Sequence, residues 1–480
     1  MSDRRRFRWA AASARMLAGT LAAAGFVVGI VTLSAVPWPT VERAPLALSV
    51  TPEPDTVTLA CPGGLIALGR TAEEALGLSQ AAVAAVTSGG TSGGRPDDAV
   101  AAPRILETEV PEAVGPEAYT AEPAGREAAA LAAAGAATVS DPDLSGFAAS
   151  ACRPPLTESW LVGGSGTTGA ADLVILTNPG SVPATVQLTL FGASGEQQPA
   201  GGADIVVRAG AQRIVPLAGL LLGEQSPVIR VTATGAPIQA SLQTSVTRTL
   251  QAAGIDQIGP IVAPSTEQVI AGVAVPAPTQ GEAAGEGAET IVRVMAPTAG
   301  AAGPVSATVT ATDAATGASV GTPVVVPLEP GVPLEAEVAG LTEGEYVVRV
   351  EADAPVVAAA WHTSGFVQGS DFAWFTAAPP LGQTSLIAAP AGPAPVLTLA
   401  NSGEEPATVT VSTLEGAVIQ TVEVPAGGSA VVPTEPRTVS VIETSGGVVH
   451  AGLSLSGDNA LAGYPVWPSD AAAPPTVVYP

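Results

Sequence analysis

The side chains here that could do chemistry are few: two histidines, two cysteines and 43 acidic residues in a chain of 480. Imidazole titrates near neutrality and is the usual general base or metal ligand. Neither His362 nor His450 has a Cys, His or Asp cluster around it at metal-ligand spacing. His450 stands at the variable place of a Val-Val-x-Ala stretch where an earlier copy has Gln239, which reads as a strand-face residue. Three short motifs match reactive patterns in form only. Gly90-Thr-Ser-Gly-Gly94 fits the spacing of a nucleophile elbow, but it lies in a Gly/Ser tract with no preceding strand or following helix pattern. Asp141-Pro-Asp-Leu-Ser-Gly146 opens like a calcium loop, but its twelfth position is Cys152 and Pro142 stiffens the turn. The Gly-rich run from Gly163 to Gly169 lacks the lysine and helix of a phosphate loop. The expectation is a protein without catalytic residues, metal or cofactor. A hydrolase using carboxylates far apart in sequence, such as Asp371 with a loop glutamate, is the distant alternative.

One stretch concentrates rings. Residues 361–375 hold five of the 17 aromatic side chains, together with polar groups. Trp361, His362, Phe366, Asp371, Phe372, Trp374 and Phe375 are the candidate binding surface, an aromatic face for a sugar ring or a partner protein. The competing reading is that the tryptophans fill the core of a module otherwise packed with Ala and Val.

The elements that carry these residues follow from a repeat. Residues 176–186 (LTNPGSVPATV) return at 399–409 (LANSGEEPATV) without a gap, and Ser306-Ala-Thr-Val309 is a weaker echo. Each copy reads as a strand, a turn set by Asn and Gly, and a second strand. Further along, residues 209–216 answer to 426–433, and Pro237-Ile-Gln-Ala240 answers to Val448-Val-His-Ala451. Short strands with turn signals every eight to twelve residues predict a mostly β chain: three tandem antiparallel β-sandwich (Ig-like) repeats behind one N-terminal transmembrane helix. In the first repeat, 228–234 and 238–245 read as a hairpin over Gly235-Ala-Pro237. The expected layout is a basic cytoplasmic tail (1–15), the transmembrane helix (16–36), a stalk and first strand (37–69), a low-complexity mobile insertion (70–148), repeats at 149–270, 290–380 and 381–480, and a linker at 271–289. Within the insertion, the capping-box spacing at Thr71 predicts a helix to Val86, and Arg126 to Ala134 reads as helix-like.

Compartment follows from the N-terminus. Five arginines between Arg4 and Arg15 precede residues 16–36, which carry no charge and would span about 31 Å as a helix, close to a bilayer core. The arginines would stay in the cytoplasm and the bulk would lie outside. A cleaved signal peptide is the alternative, and it also exports the chain. Outside the cytoplasm, Cys61 and Cys152 are expected to pair. Two cysteines with no nearby histidine cannot complete a zinc shell. A net charge of −25 disfavours nucleic acid as a partner.

The N-terminal apolar run, Cys61-Pro-Gly63, Cys152 followed by Trp160-Leu-Val-Gly-Gly164, and Leu-x-Asn-Pro-Gly with Ala-Thr-Val together resemble an actinobacterial family of uncharacterised envelope proteins, known as a domain of unknown function. The resemblance covers most of the chain outside 70–148. It implies an exported, membrane-tethered protein and supplies no catalytic residues. The function expected is non-enzymatic: β-sandwich modules presented for contact with an envelope protein or cell-wall glycan. An accessory or scaffold subunit of an envelope glycan assembly system is the alternative.

Overall fold

A computed structural model describes residues 16–28, 48–50, 54–69, 77–92, 95–96, 102–125, 127–248, 251–277, 288–298, 303–367, 369–469 and 476–478. The chain divides into two units, Met1–Thr51 with Pro475–Pro480, and Pro52–Pro474. In the smaller, the described parts are a helix, residues 16–28, and a short antiparallel pair, Leu48–Val50 with Thr476–Val478. No helix among the described residues is long and apolar enough to cross a membrane, and positions 29–36 of the expected span lie outside them.

The larger unit is built of antiparallel sheets. Four of them share one strand order. In the first repeat this sheet runs Ala211–Pro216, Leu173–Asn178, Gln239–Arg248, Gln251–Ile258. In the third it runs Ser429–Pro433, Pro395–Asn401, Val449–Gly457, Ala460–Pro465. In the second, Leu334–Glu337 and Glu289–Met295 are followed by the C-terminal half of Gly344–Thr363, then Phe372–Thr376. The fourth comes from the N-terminal segment: Arg95–Pro96, Ala85–Ser92, Ala130–Ser140, Ser145–Ala151. Each repeat adds an outer sheet. These are Glu158–Val162 with Val228–Thr234 and Ala184–Gly192; Ser265–Val275 with Gly344–Thr363, Val305–Asp313 and Ser319–Leu328; and Thr384–Ala389 with Thr438–Gly446, Ala407–Thr413 and Val418–Val424. Val57–Ala60, Glu117–Ala121 and Arg104–Ile105 form the corresponding small sheet, which with the fourth makes an N-terminal unit (residues 57–151) within the larger body, separate from Met1–Thr51.

Several expectations are corrected. The described residues of 70–148 include strands paired in sheets with the rest of the larger unit, so the segment is not a looped-out insertion. Leu78–Ala82 and Ala85–Ser92 replace the expected helix, and Ala130–Ser140 replaces the helix-like patch. Burial on both faces overrides alanine's helix propensity. Ala130, Ala132, Ala134 and Ala136 pack into the third repeat's core, while Leu131 and Ala133 pack beside the two cysteines. Apart from Leu131 and Val139, the side chains of this enclosed strand are small. The linker at 271–289 is likewise part strand, since Ser265–Val275 is an edge of the second outer sheet. The strands 228–234 and 239–248 form no hairpin with each other; each pairs in a different sheet, and the chain crosses between them at Gly235. At the corresponding point the second repeat does not turn at all, and Gly344–Thr363 runs through both sheets.

The last strand of each four-stranded sheet faces an axis. Ser145–Ala151, Gln251–Ile258, Phe372–Thr376 and Ala460–Pro465 contact one another in a closed ring. Each lends a large apolar side chain to another unit's core. Phe372 enters the first repeat's core, Leu461 the second's, Phe147 the third's, and Ile255 the N-terminal unit's. The exchange is circular, so each core is completed by another unit.

Candidate functional site

The aromatic stretch spans this axis. Phe372–Thr376 pairs with the end of Gly344–Thr363 so that Trp361 faces Trp374 and His362 faces Ala373. Of the seven candidate surface residues, His362, Asp371, Phe372, Trp374 and Phe375 are buried, so they do not form an exposed face. The physical reason is the ring itself: Phe372 and Trp374 are core residues of the neighbouring repeat. Trp361 and Phe366 remain half-buried, with ring centroids 6.2 Å apart, and the Arg248 guanidinium lies 3.5 Å from the Phe366 centroid.

Asp371 occupies the axis. Its Oδ2 accepts the N–H of Phe147 at 2.9 Å and of Leu461 at 3.1 Å. Its Oδ1 accepts the N–H of Phe372 at 3.0 Å and of Ile255 at 3.3 Å. One amide therefore comes from each of the four axial strands. These are sheet edges, whose amides would otherwise be unpaired in a buried place. A carboxylate has about four acceptor positions, which matches the demand. Burial pushes the Asp371 pKa well up, and the four backbone donors pull against that. Space for the carboxyl comes from the residues preceding the other three donors: Gly146, Gly254 and Ala460. A Cβ on Gly146 or Gly254 would stand 2.6 or 2.8 Å from Oδ1. The residues following the four donors are Ala148, Asp256, Ala373 and Ala462, again one aspartate among small residues. Asp256 accepts the N–H of Trp374 at 2.7 Å and of Gln257 at 2.8 Å, and burial raises its pKa to about 8.

A second buried cluster joins the first and second repeats. Arg293 donates to the carbonyls of Gly164 and Pro227, both at 2.9 Å, and pairs with Glu335 at 2.8 Å. Its guanidinium lies 4.6 Å from the Trp374 ring centroid. Asp172 accepts the N–H of Ser165 at 2.5 Å and of Ser245 at 3.1 Å; burial raises its pKa to about 7 against those bonds and the charge of Arg293. The Trp-x-x-Gly-Gly motif is explained here. A Cβ on Gly163 would stand 3.2 Å from the Trp374 ring, and one on Gly164 would stand 2.6 Å from Asp172.

Both histidines are buried and held by neighbours. His362 Nδ1 meets Thr290 Oγ1 at 2.8 Å, and burial lowers its pKa to about 4. His450 Nδ1 donates to the Ala378 carbonyl at 2.7 Å, leaving Nε2 to accept from Ser402 Oγ at 3.1 Å. Hydroxyl, imidazole and carbonyl in line resemble a nucleophile with its base and orienting group. The nearest amides, however, are engaged: Ser402 N–H donates to the Val448 carbonyl and Gly403 N–H to Asn401 Oδ1. Neither is free to receive an oxyanion. Among the described residues no group of three or more His, Cys, Asp or Glu is placed to hold a metal ion.

Cys61 and Cys152 form a buried disulfide across 91 positions, beside the reciprocal backbone bonds of Ala60 and Arg153. The repeat's Asn residues are also accounted for. Asn178 and Asn401 are fully buried, and each Oδ1 accepts a glycine N–H two residues on, from Gly180 and Gly403. Each Nδ2 donates to the carbonyl four residues on and to the outer sheet, at Val207 or Val424. Sequence reasoning missed Asp172, Asp256, Arg293 and Ser402. The axial pair could have been found by aligning the last strand of each unit, where a small residue or aspartate precedes a large apolar one.

Residues 108–435 match a family of unknown function (DUF5719), about two thirds of the chain, and the protein belongs to that family. No curated protein matches it.

Proposed function

We propose that this member of a family of unknown function is a non-enzymatic scaffold of the cell envelope. In this reading residues 16–36 span the membrane, the bulk lies outside, and Ig-like sandwich repeats present surfaces for protein or glycan contact. The observation that carries it is the buried Cys61–Cys152 disulfide, since such bonds persist in oxidising compartments. The use of Asp371, Asp256 and Arg293 as internal struts fits a frame whose working surfaces are its outer sheets. A direct test is external protease on spheroplasts carrying the full chain with a C-terminal tag. The tag should be removed without lysis; a tag cleaved only after lysis sinks the reading.

Glycan contact is favoured by the half-buried Trp361 and Phe366 beside Arg248, an arrangement of rings and donor suited to sugar faces. Retention on isolated cell-wall glycan should fall at least tenfold in Trp361→Ala. Unchanged retention would leave protein contact, as an accessory or scaffold subunit of a glycan assembly system, as the better reading.

A further inference from the structure

The outer-sheet edges of the three repeats are not treated alike. One edge of each is packed by another unit. Glu158–Val162 meets Gly344–Thr363, Ser265–Val275 meets Pro395–Asn401 and Val449–Gly457, and Thr384–Ala389 meets Ala85–Ser92 and Ala130–Ser140. The opposite edges end their sheets, and among the described residues no strand pairs with their far side, where free N–H and C=O groups invite another strand. In the first repeat that edge is broken into two three-residue strands, Gly195–Gln197 and Ile205–Val207, with a turn at Ala200–Gly202 between them. In the second it is Ser319–Leu328, where Pro323 and Pro327 offer no N–H. In the third it is Val418–Val424, seven residues without proline. A bulge falls at Ile419, after which Gln420–Val424 pairs residue for residue with 407–411. Val418 is 64% exposed and Ile419 50%. Two equivalent edges are defended against pairing, and among the described residues this one is left open.

Its surroundings are acidic. Between positions 404 and 446 the charged residues are Glu404, Glu405, Glu415, Glu423, Glu435 and Glu443 against Arg437 alone. Across the sheet, Glu423 stands in the row of Thr408 and Ser445, and Glu443 in the row of Thr410 and Thr421. We propose that the edge Val418–Val424 is a strand-addition site for an extended, basic segment of a partner protein. Backbone hydrogen bonds supply the attachment, and a lysine or arginine set beside Glu423 meets the carboxylate carried by the edge strand itself. A second copy of this chain fits less well, because it brings the same acidic rows together on a chain of net charge −25. The inference rests on the reading of these modules as contact surfaces. Protease access tests export separately, so either can fail while the other stands.

The test titrates the full chain in detergent with a blocked nine-residue peptide of alternating Lys and Val, and with its Glu/Val counterpart. The basic peptide should bind saturably at one site and the acidic one should not. Thr421→Pro alters the edge without altering charge, and Ile419→Lys places a cation on it; each should weaken binding at least tenfold with the melting temperature within a few degrees of the parent. If Thr421→Pro does not fold, Ile419→Lys carries the test. Equal binding of both peptides, or binding untouched by the variants, overturns the proposal. So does self-association by sedimentation that Ile419→Lys abolishes, since the edge then belongs to a second copy.

Discussion

Asp371, Asp256 and Asp172 show what a buried carboxylate does when its partners are mostly backbone amides. Removing an anion from water is costly, and the amides recover part of that cost. Asp256 and Asp172, with pKa values raised to about 8 and about 7, hold protons in the folded state that an unfolded chain releases near pH 4. The folded state then binds more protons than the unfolded one between these values. This stabilising contribution is complete below the unfolded pKa and is lost as pH rises through the folded one. The lowered pKa of His362 acts the opposite way, but only at more acid pH, because above about pH 7 the imidazole is largely neutral in both states. From pH 7 to 8.5 the denaturant midpoint should therefore fall, and Asp256→Asn should flatten the slope. A midpoint rising over that interval, or a slope unchanged by the substitution, would remove Asp256 from the account.

At the scale of elements, the recurring L-x-N-x-G was the strongest signal in the sequence, and the structure gives it a cause. The asparagine closes its own turn and ties the inner sheet to the outer one. Asn401 has four such bonds and Asn178 three. Each buried group left unpaired costs about 1–3 kcal/mol, so Asn401→Ala should destabilise by about 3 kcal/mol or more, and Asn178→Ala somewhat less. Equal and small effects in urea unfolding, under about 1 kcal/mol, would show the turn holding without its asparagine. The second repeat has Ala296-Pro297 in this region instead, which is why its echo was faint. The alternating Thr and Val strands were legible because one face is wet. The segment 85–140 was not, because alanine on both faces gives no period, and only neighbours far along the chain decide between helix and strand. The aromatic stretch was legible as special but not as buried, since the core that receives Phe372 and Trp374 belongs to another repeat.

At the scale of the molecule, three repeats could be read from the chain and four equivalent sheets are present. The N-terminal copy lacks the motif and shares only the strand order. Circular exchange of Phe147, Ile255, Phe372 and Leu461 makes the units interdependent, and Asp371 joins their edges at one point. Local opening of one unit would leave a hole in another's core and unpaired amides at the axis. The ring is therefore expected to open as a whole. Hydrogen exchange at the amides of Phe147, Ile255, Phe372 and Leu461, in the parent and in Asp371→Ala, tests this most directly. All four should exchange with a common opening free energy in the parent and lose protection together in the variant. Loss confined to Phe372, beside the substitution, with the other three amides unchanged, would contradict it.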